Sequence, residues 1–179
     1  AYRFVSHPEV GRFDLSSVAA FGSGGAPMTR ELQDRLREVF PAAGDSAALG
    51  YGLTECTGLA TLNFGEEFRQ RPDAAGRPLP TVQIEIRDTA GRPVPPGVEG
   101  EIHIRGPVVM LGYWGKPDDT AWSIVAGRWL RTGDIGRFED GYLVINSRAR
   151  DLILRGAENV YPAEIEQCLA THPGVEEAA

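Results

Sequence analysis

The residues best suited to chemistry lie between Gly50 and Cys56 (GYGLTEC), at the end of a short apolar run. A turn flanked by glycines lets a phosphate group approach the backbone, and Thr54 adds a hydroxyl that can hold it. Glu55 supplies a hard carboxylate oxygen of the kind that Mg2+ prefers. The same residues would also suit a polar turn at a strand end in which Thr54 caps a helix. This segment by itself favours neither interpretation.

Two more polar segments come later in the chain. Asp134 follows an apolar run in a glycine-marked turn (TGD), where its carboxylate can accept hydrogen bonds from both hydroxyls of a vicinal diol such as ribose. Arg148, Arg150 and Asp151 lie together where the residue pattern changes. A turn-forming aspartate and a solvated basic linker are the simpler alternatives for these two segments.

Two glycine patterns near the start do not support a site. Gly22 and Gly24 begin a dinucleotide-binding fingerprint, but Pro27 stands in place of its third glycine, so we predict a tight turn. Ser23 lacks the Gly-x-Ser-x-Gly frame of a hydrolase nucleophile because Phe21 stands where the first glycine is needed. The histidines show neither metal-ligand nor catalytic-triad spacing.

The first 70 residues must position the earlier of these segments, and their pattern predicts an α/β unit. An apolar run at 18–21 is followed by a turn and then by residues 28–40, whose apolar side chains recur at helical spacing. Pro41 ends that helix, and residues 47–51 form a second short apolar run. This order of strand, helix and strand is typical of one end of a larger layered sheet.

After Pro72 the pattern changes to short alternating runs separated by turn signals. The runs at 82–88, 100–106 and 141–146 predict a small antiparallel β-subdomain. From residue 150 onward we predict a hairpin and then a helix that carries Pro162 in its first turn.

The predicted fold class is therefore α/β plus β, in three parts. Residues 1–70 would be the end of an α/β layered subdomain, and 71–149 a small antiparallel β-subdomain. Residues 150–179 would be the start of an α+β C-terminal domain.

Composition limits the classes of partner and location. Apolar residues make up 42% and charged residues 24% of the 179 residues, which is typical of a folded globular chain. The formal charge of -7 would repel nucleic acid, so we predict no nucleic-acid partner. The two cysteines have no CxxC spacing, which favours a reduced, cytoplasmic setting. No apolar stretch is long enough to predict a transmembrane segment.

Taken in order, four segments closely resemble the adenylate-forming superfamily, which includes acyl-CoA synthetases, luciferases and the adenylation domains of peptide synthetases. These segments are YGLTE at 51–55, GEIHIRG at 100–106, RTGD at 131–134 and the run from Arg148 to Glu166 that contains NVYPAEIE. The resemblance covers essentially the whole chain. It implies an enzyme that uses ATP and Mg2+ to activate a carboxylic acid as acyl-AMP.

The same resemblance implies a role for individual residues. Gly25, Ala26 and Pro27 would border the adenine ring, and Tyr51 would stack against it. In the catalytic set, Thr54 would hold phosphate and Glu55 would bind Mg2+. Asp134 would accept from the ribose hydroxyls, and Arg148 would contact ribose and phosphate.

The remaining implied roles concern the acyl group, CoA and domain motion. The visible walls of the acyl pocket would be Gly24, Gly25 and Gly50. Asp151 would be the hinge about which the terminal domain turns after adenylation, and Gly156 would then come near the pantetheine tunnel.

The chain also departs from the family pattern. Ser147 stands where the family usually has glycine, and Arg150 where lysine is common. We find neither the family's upstream phosphate loop with its lysine nor the downstream catalytic lysine. We therefore expect this chain to be a fragment of a longer enzyme, and we expect the fragment alone to be inactive.

The segment ENVYPAEIE is closer to acyl- and aryl-CoA synthetases than to peptide-synthetase domains, so an acyl-CoA synthetase acting on a fatty acid is our first prediction. Aryl and short branched acids stay open. The alternatives are an acyl-AMP ligase or adenylation domain that loads a carrier protein, or a non-catalytic nucleotide-binding module. Association into a homo-oligomer through exposed strand edges is also left open.

Overall fold

The structure is a computed structural model that describes residues 2–25, 28, 30–155, 158–170, 172, 174 and 175. It contains two separate sheets, a short terminal hairpin and five helices among those residues. The predicted combination of an α/β unit, an antiparallel β region and a mixed terminal segment is confirmed.

The first sheet has four strands in the order β1-β2-β3-β4, and three short helices accompany it. Its β1 and β2 are parallel, whereas β3 and β4 are antiparallel to their neighbours. The strands are β1 (Phe21–Gly24), β2 (Ala47–Tyr51), β3 (Thr61–Phe64) and β4 (Arg77–Pro78), and the helices are α1 (Tyr2–Val5), α2 (Arg30–Val39) and α3 (Gly65–Gln70).

Helix α2 forms where the apolar spacing predicted it and ends two residues before Pro41. Leu36 in this helix and Phe40 directly after it are buried, because they belong to the apolar stripe that faces the sheet. The first core also contains Val5, Met28, Ala43, Ala47 and Phe68.

The predicted tight turn at Gly22 and Gly24 is wrong, and so is the start of the first strand at residue 18. Gly22, Ser23 and Gly24 belong to β1 and pair in register with residues 48–50 of β2. Pairing with a neighbouring strand outweighs the weak intrinsic strand preference of glycine. The backbone turns only at Gly25, whose φ is 79°.

The second sheet has five strands, with β5-β6-β8-β7 in order and β9 paired to the later part of β8. All of its pairings are antiparallel, as the alternating runs predicted. Its apolar face is rich in fully buried isoleucine and leucine, including Ile102, Ile104, Leu130 and Leu143. The elements are β5 (Gln83–Arg87), β6 (Gly100–Arg105), α4 (Pro117–Ser123), β7 (Ile124–Val125), β8 (Trp129–Glu139) and β9 (Tyr142–Arg148).

The two sheets are joined by backbone hydrogen bonds near residue 75. Ala75 N donates to Leu143 O at 2.7 Å, and Leu143 N donates to Gly76 O at 2.8 Å. The buried side chains of Thr61 and Asn63 in β3 donate to carbonyls of residues 71–75. The connection is therefore held from both sides, which fixes β2 and β3 relative to β9. The domain boundaries near 70 and 149 stay predictions, and β4 lies beyond the first of them.

The terminal segment consists of a hairpin and one helix. The predicted hairpin and the helix with Pro162 at its start are confirmed, as β10 (Ile153–Arg155), β11 (Glu158–Val160) and α5 (Pro162–Ala170). Tyr161 is buried, and its hydroxyl donates to Glu99, a carboxylate that also accepts from Asn146. Arg137 in turn donates to Asn146 Oδ1 at 2.9 Å. These contacts attach the terminal segment to the second sheet. Over the residues that the structure describes, no helix is both long and apolar enough to cross a membrane.

Candidate functional site

The parallel strands β1 and β2 end side by side, since Gly24 ends β1 and pairs with Gly50, the next-to-last residue of β2. A Cβ atom on Gly24 would lie only 3.0 Å from Gly50 O, so these strand ends approach each other without side chains between them. Ligands of α/β sheets commonly bind outside the carboxyl ends of parallel strands. Gly24, Gly25 and Gly50 thus form a backbone wall at the edge where a ligand is expected, and their contact with an acyl group stays a prediction.

Tyr51 is the last residue of β2, and it connects the two sheets directly. Its hydroxyl donates to Asp134 Oδ2 at 2.7 Å, although the two residues are 83 positions apart. Asp134 lies in β8 and is only 8% exposed. The sequence pattern predicts separate roles for Tyr51 and Asp134 and contains no signal for this bond.

The Tyr51–Asp134 pair has a definite electrostatic state. Burial raises the pKa of Asp134 above the ordinary value for an aspartate, while the hydrogen bond from Tyr51 and the charge of Arg148 oppose that shift. Burial, and then the negative charge of Asp134, raise the pKa of Tyr51 far above neutral pH. Tyr51 therefore stays protonated and acts as the donor.

Arg148 lies directly opposite Asp134, because β8 and β9 pair in register at these two residues. Its Nε atom is 3.5 Å from Asp134 Oδ1, and its side chain is 57% exposed. A contact of this length and exposure contributes little to stability. The guanidinium of Arg148 can therefore move to an incoming anion at low cost.

The ladder between β8 and β9 ends just before the predicted hinge. Ala149 N donates to Gly133 O at 2.8 Å, and Asp151 N donates to Arg148 O at 3.0 Å in an exposed turn. Arg150 Nε lies 3.4 Å from Asp151 Oδ1, and both side chains are exposed. A change of backbone direction at Asp151 would disturb few contacts, and its role as a hinge stays a prediction.

Thr54 and Glu55 lie in a single 3-10 turn, Thr54–Cys56. The alternative in which Thr54 caps a helix is wrong, because Leu53 holds the position before the turn. Leu53 N donates to the buried sulfur of Cys56 at 3.3 Å, so the thiol takes the acceptor position that a glutamate or glutamine holds in a capping box. The Thr54 side chain is exposed and has no hydrogen-bond partner among the described residues, which leaves its hydroxyl available to a ligand.

Glu55 is half-buried and is held at two points. Its Oε1 atom accepts a hydrogen bond from the Tyr113 hydroxyl at 2.8 Å, and its backbone oxygen accepts from Met110 N at 2.8 Å. Within the described part of the chain, no three histidine, cysteine, aspartate or glutamate residues could hold a metal ion together. A lone carboxylate fits Mg2+, which often binds proteins through one carboxylate and completes its shell with phosphate oxygens and water.

The structure brings Tyr51, Asp134 and Arg148 into one cluster and puts Thr54 and Glu55 just beyond Tyr51 in the chain. Ala26, Pro27 and Gly156, which were predicted to border adenine and the pantetheine tunnel, lie outside the described residues. Tyr113 was missed. It lies in GYWG at 112–115, a segment typical of a turn, and the signal that could have indicated it is an aromatic hydroxyl between glycines.

Comparison with known proteins identifies related sequences. Residues 1–114 match the sequence profile of the family described as AMP-binding enzyme. A 4-coumarate–CoA ligase-like protein from Oryza sativa subsp. japonica is 44% identical over 96% of this chain. A long-chain-fatty-acid–CoA ligase from Escherichia coli O6:H1 is 38% identical over 98% of the chain. A fatty acid–[acyl-carrier-protein] ligase, ScoC from Streptomyces coeruleorubidus, is 41% identical over 97%. The chain spans 29%, 30% and 34% of the lengths of these relatives.

Solved structures agree. The amide bond synthetase McbA from Marinactinospora thermotolerans superimposes with a TM-score of 0.86 at 38% identity, over 99% of this chain and 36% of that one. The o-succinylbenzoate CoA synthetase MenE from Bacillus subtilis, solved with its acyl-adenylate intermediate, gives a TM-score of 0.78 at 34% identity. That match covers 87% of this chain and 31% of the synthetase.

Proposed function

The chain belongs to the AMP-binding enzyme family, and from that premise we propose that it is part of an ATP-dependent acyl-CoA synthetase. The whole enzyme would join a carboxylic acid to AMP and then transfer the acyl group to CoA. The observation that carries the proposal is the cluster of Tyr51, Asp134 and Arg148, which lies at the edge where the parallel strands end.

In the first step an oxygen of the acid forms a bond to the α-phosphorus of ATP, and pyrophosphate leaves with the electron pair of the broken bond. The acid and the triphosphate are both anions, so fixed donors must align them and offset their repulsion. Arg148 and the Thr54 hydroxyl are the donors that this chain offers. Mg2+, held by Glu55, would offset further phosphate charge.

Asp134 would orient the nucleotide through its ribose. Tyr51 occupies one lone-pair direction of Oδ2, and Arg148 is too far from Oδ1 for a strong hydrogen bond. A carboxylate has about four acceptor positions, so both ribose hydroxyls can still bind. Tyr51 fixes the plane of the carboxylate while the diol binds.

In the second step the sulfur of CoA forms a bond to the acyl carbon, the thiol proton passes to solvent, and AMP leaves with the electron pair of the broken acyl C–O bond. CoA and a fatty acid are our first choices of acceptor and acid, because the E. coli relative is named a long-chain-fatty-acid–CoA ligase. A carrier protein is the second candidate acceptor, since ScoC is named for that reaction and is 41% identical. A cytoplasmic location is also proposed and rests on the wide spacing of Cys56 and Cys168.

The test is acid-dependent exchange of pyrophosphate into ATP over a panel of fatty and aryl acids. It compares the 179-residue chain with a protein extended to the length of its relatives. We expect exchange in the extended protein only, its loss in Glu55→Ala, and thioester formation when CoA is added. A folded extended protein that catalyses no exchange with any acid would overturn the proposal. Exchange without thioester formation would favour the carrier-protein alternative.

A further inference from the structure

A glutamate in a half-exposed turn ordinarily samples several rotamers, so a fixed orientation needs an additional contact. Glu55 has that contact in Tyr113, which lies 58 residues later and donates to Oε1 at 2.8 Å. No hydrogen bond to Oε2 occurs among the described residues. The carboxylate is thus held by one oxygen, and the other is available.

Tyr113 is itself held firmly by the residues at 110–120, which we call the clamp segment. Its backbone N donates to Thr120 Oγ1 at 2.9 Å, and Thr120 Oγ1 donates to Lys116 O at 2.8 Å. Gly112 packs so closely that a Cβ atom there would lie 2.7 Å from Thr120 Cγ2. The Tyr113 hydroxyl is therefore presented by a closed turn rather than by a free loop.

The clamp segment also holds the backbone beneath Glu55. Met110 N donates to Glu55 O at 2.8 Å, and Arg128 Nη2 donates to Met110 O at 2.8 Å. Both ends of the glutamate, its carbonyl and its carboxylate, are therefore bonded to the same segment. The backbone bond from Met110 would be enough to hold the turn in place. The additional bond from Tyr113 fixes the carboxylate itself.

We propose that Tyr113 is a positioning residue that holds Oε1 of Glu55 and so directs Oε2 toward the divalent cation that accompanies ATP. The proposal rests on the function proposed above and adds a residue that acts through Glu55. Hydrogen bonds to a ligating side chain typically change metal affinity by about 10-fold to 100-fold when they are removed. We expect the smaller of these factors for Tyr113→Phe, because it removes one neutral hydroxyl and keeps the ring.

The experiment measures Mn2+ binding by electron paramagnetic resonance in the extended enzyme, with a non-hydrolysable ATP analogue present. Nucleotide affinity in EDTA and thermal unfolding are measured on the same samples. Tyr113→Phe should weaken Mn2+ binding about tenfold and leave both other readouts unchanged. Thr120→Val, which loosens Tyr113, should act in the same direction and less strongly. The matched control is Tyr142→Phe, because the ring of Tyr142 lies against Arg71 and Arg77 and not against Glu55. This substitution should leave Mn2+ binding unchanged.

Combining Tyr113→Phe with Glu55→Gln should weaken Mn2+ binding no more than Glu55→Gln alone, because the tyrosine acts only through that carboxylate. Additive effects would overturn the proposal. So would wild-type Mn2+ binding in Tyr113→Phe, or an equal loss of nucleotide affinity in EDTA. If the wild-type protein does not bind Mn2+ with the nucleotide, the proposed function fails as well, which distinguishes the two failures.

Discussion

The two sheets contribute to the site in different ways. Asp134 and Arg148 come from the second sheet, where β8 and β9 pair them directly across the ladder. Glu55 follows the first sheet and lies in a three-residue 3-10 turn beyond the end of β2. Its orientation depends on a side-chain bond and a backbone bond from the clamp segment, which lies after β6 and includes the start of α4. One half of the site is therefore positioned by the backbone ladder, and the carboxylate of the other half by a side-chain hydrogen bond that a single substitution can remove.

The largest expected effect is on the second sheet, which carries the β8–β9 ladder. Leu130 is 1% exposed in β8, so Leu130→Ala should destabilise the fold by about 2–5 kcal/mol through lost burial and a residual cavity. Leu111→Ala is the matched control, because Leu111 is 90% exposed and its removal should change stability by no more than about 0.5 kcal/mol. Thermal and urea unfolding would measure both. Equal effects would show that the stability of the second sheet does not depend on this core.

Next in size is the loss of the ribose acceptor. Asp134→Ala should weaken ATP binding at least about tenfold, because hydrogen bonds to a charged group contribute roughly 1.5–3 kcal/mol each. Titration calorimetry would measure the affinity. The exposed Asp140 in the turn between β8 and β9 supplies the control, Asp140→Asn, which should bind ATP normally. Normal binding by Asp134→Ala would remove Asp134 from the nucleotide site.

A smaller effect is expected where the two regions meet. Tyr51→Phe keeps the ring and removes the hydrogen bond to Asp134, which should weaken ATP binding by about 1 kcal/mol, or roughly fivefold. That bond lowers the pKa of Asp134, so its loss should raise the pKa further. The acid limb of ATP binding should therefore move to higher pH, and affinity measured from pH 4 to pH 8 would show it. An unchanged limb would mean that Tyr51 does not tune the carboxylate.

The smallest expected effect is on stability as a function of pH. Burial raises the pKa of Asp134, with Tyr51, Arg148 and Arg150 opposing the shift and Asp151 adding to it. The stabilising contribution of a carboxyl with a raised pKa is complete below its ordinary value of 3.8 and is lost as pH rises through the folded-state pKa. Asp134→Asn removes this loss and should raise stability at pH 7, with no gain below pH 3.8. Melting temperatures of the wild type and of Asp134→Asn, measured at pH 7 and below pH 3.8, would test the sign of this stability change.

Much of this arrangement was predictable from local patterns. The alternating runs gave the antiparallel sheet, and Pro41 gave the end of α2, because both signals act over a few residues. The placement of Gly22–Gly24 in β1 was not predictable, since it depends on pairing with β2. The bonds from Tyr113 to Glu55 and from Tyr51 to Asp134 were missed for the same reason. Each joins residues that are more than 50 positions apart.

The contact between Tyr161 and Glu99 has a consequence for timing. Tyr161 lies ten residues after Asp151 and is buried against the second sheet. If the segment beyond Asp151 turns during the reaction, this contact must break and re-form in every cycle. A change of about 1.4 kcal/mol in that contact would alter the ratio of docked to released molecules about tenfold. The Tyr161 contact would then contribute to how long the terminal segment stays docked, and Tyr161→Phe would shorten the docked lifetime measured by single-molecule energy transfer. An unchanged lifetime would locate that control elsewhere.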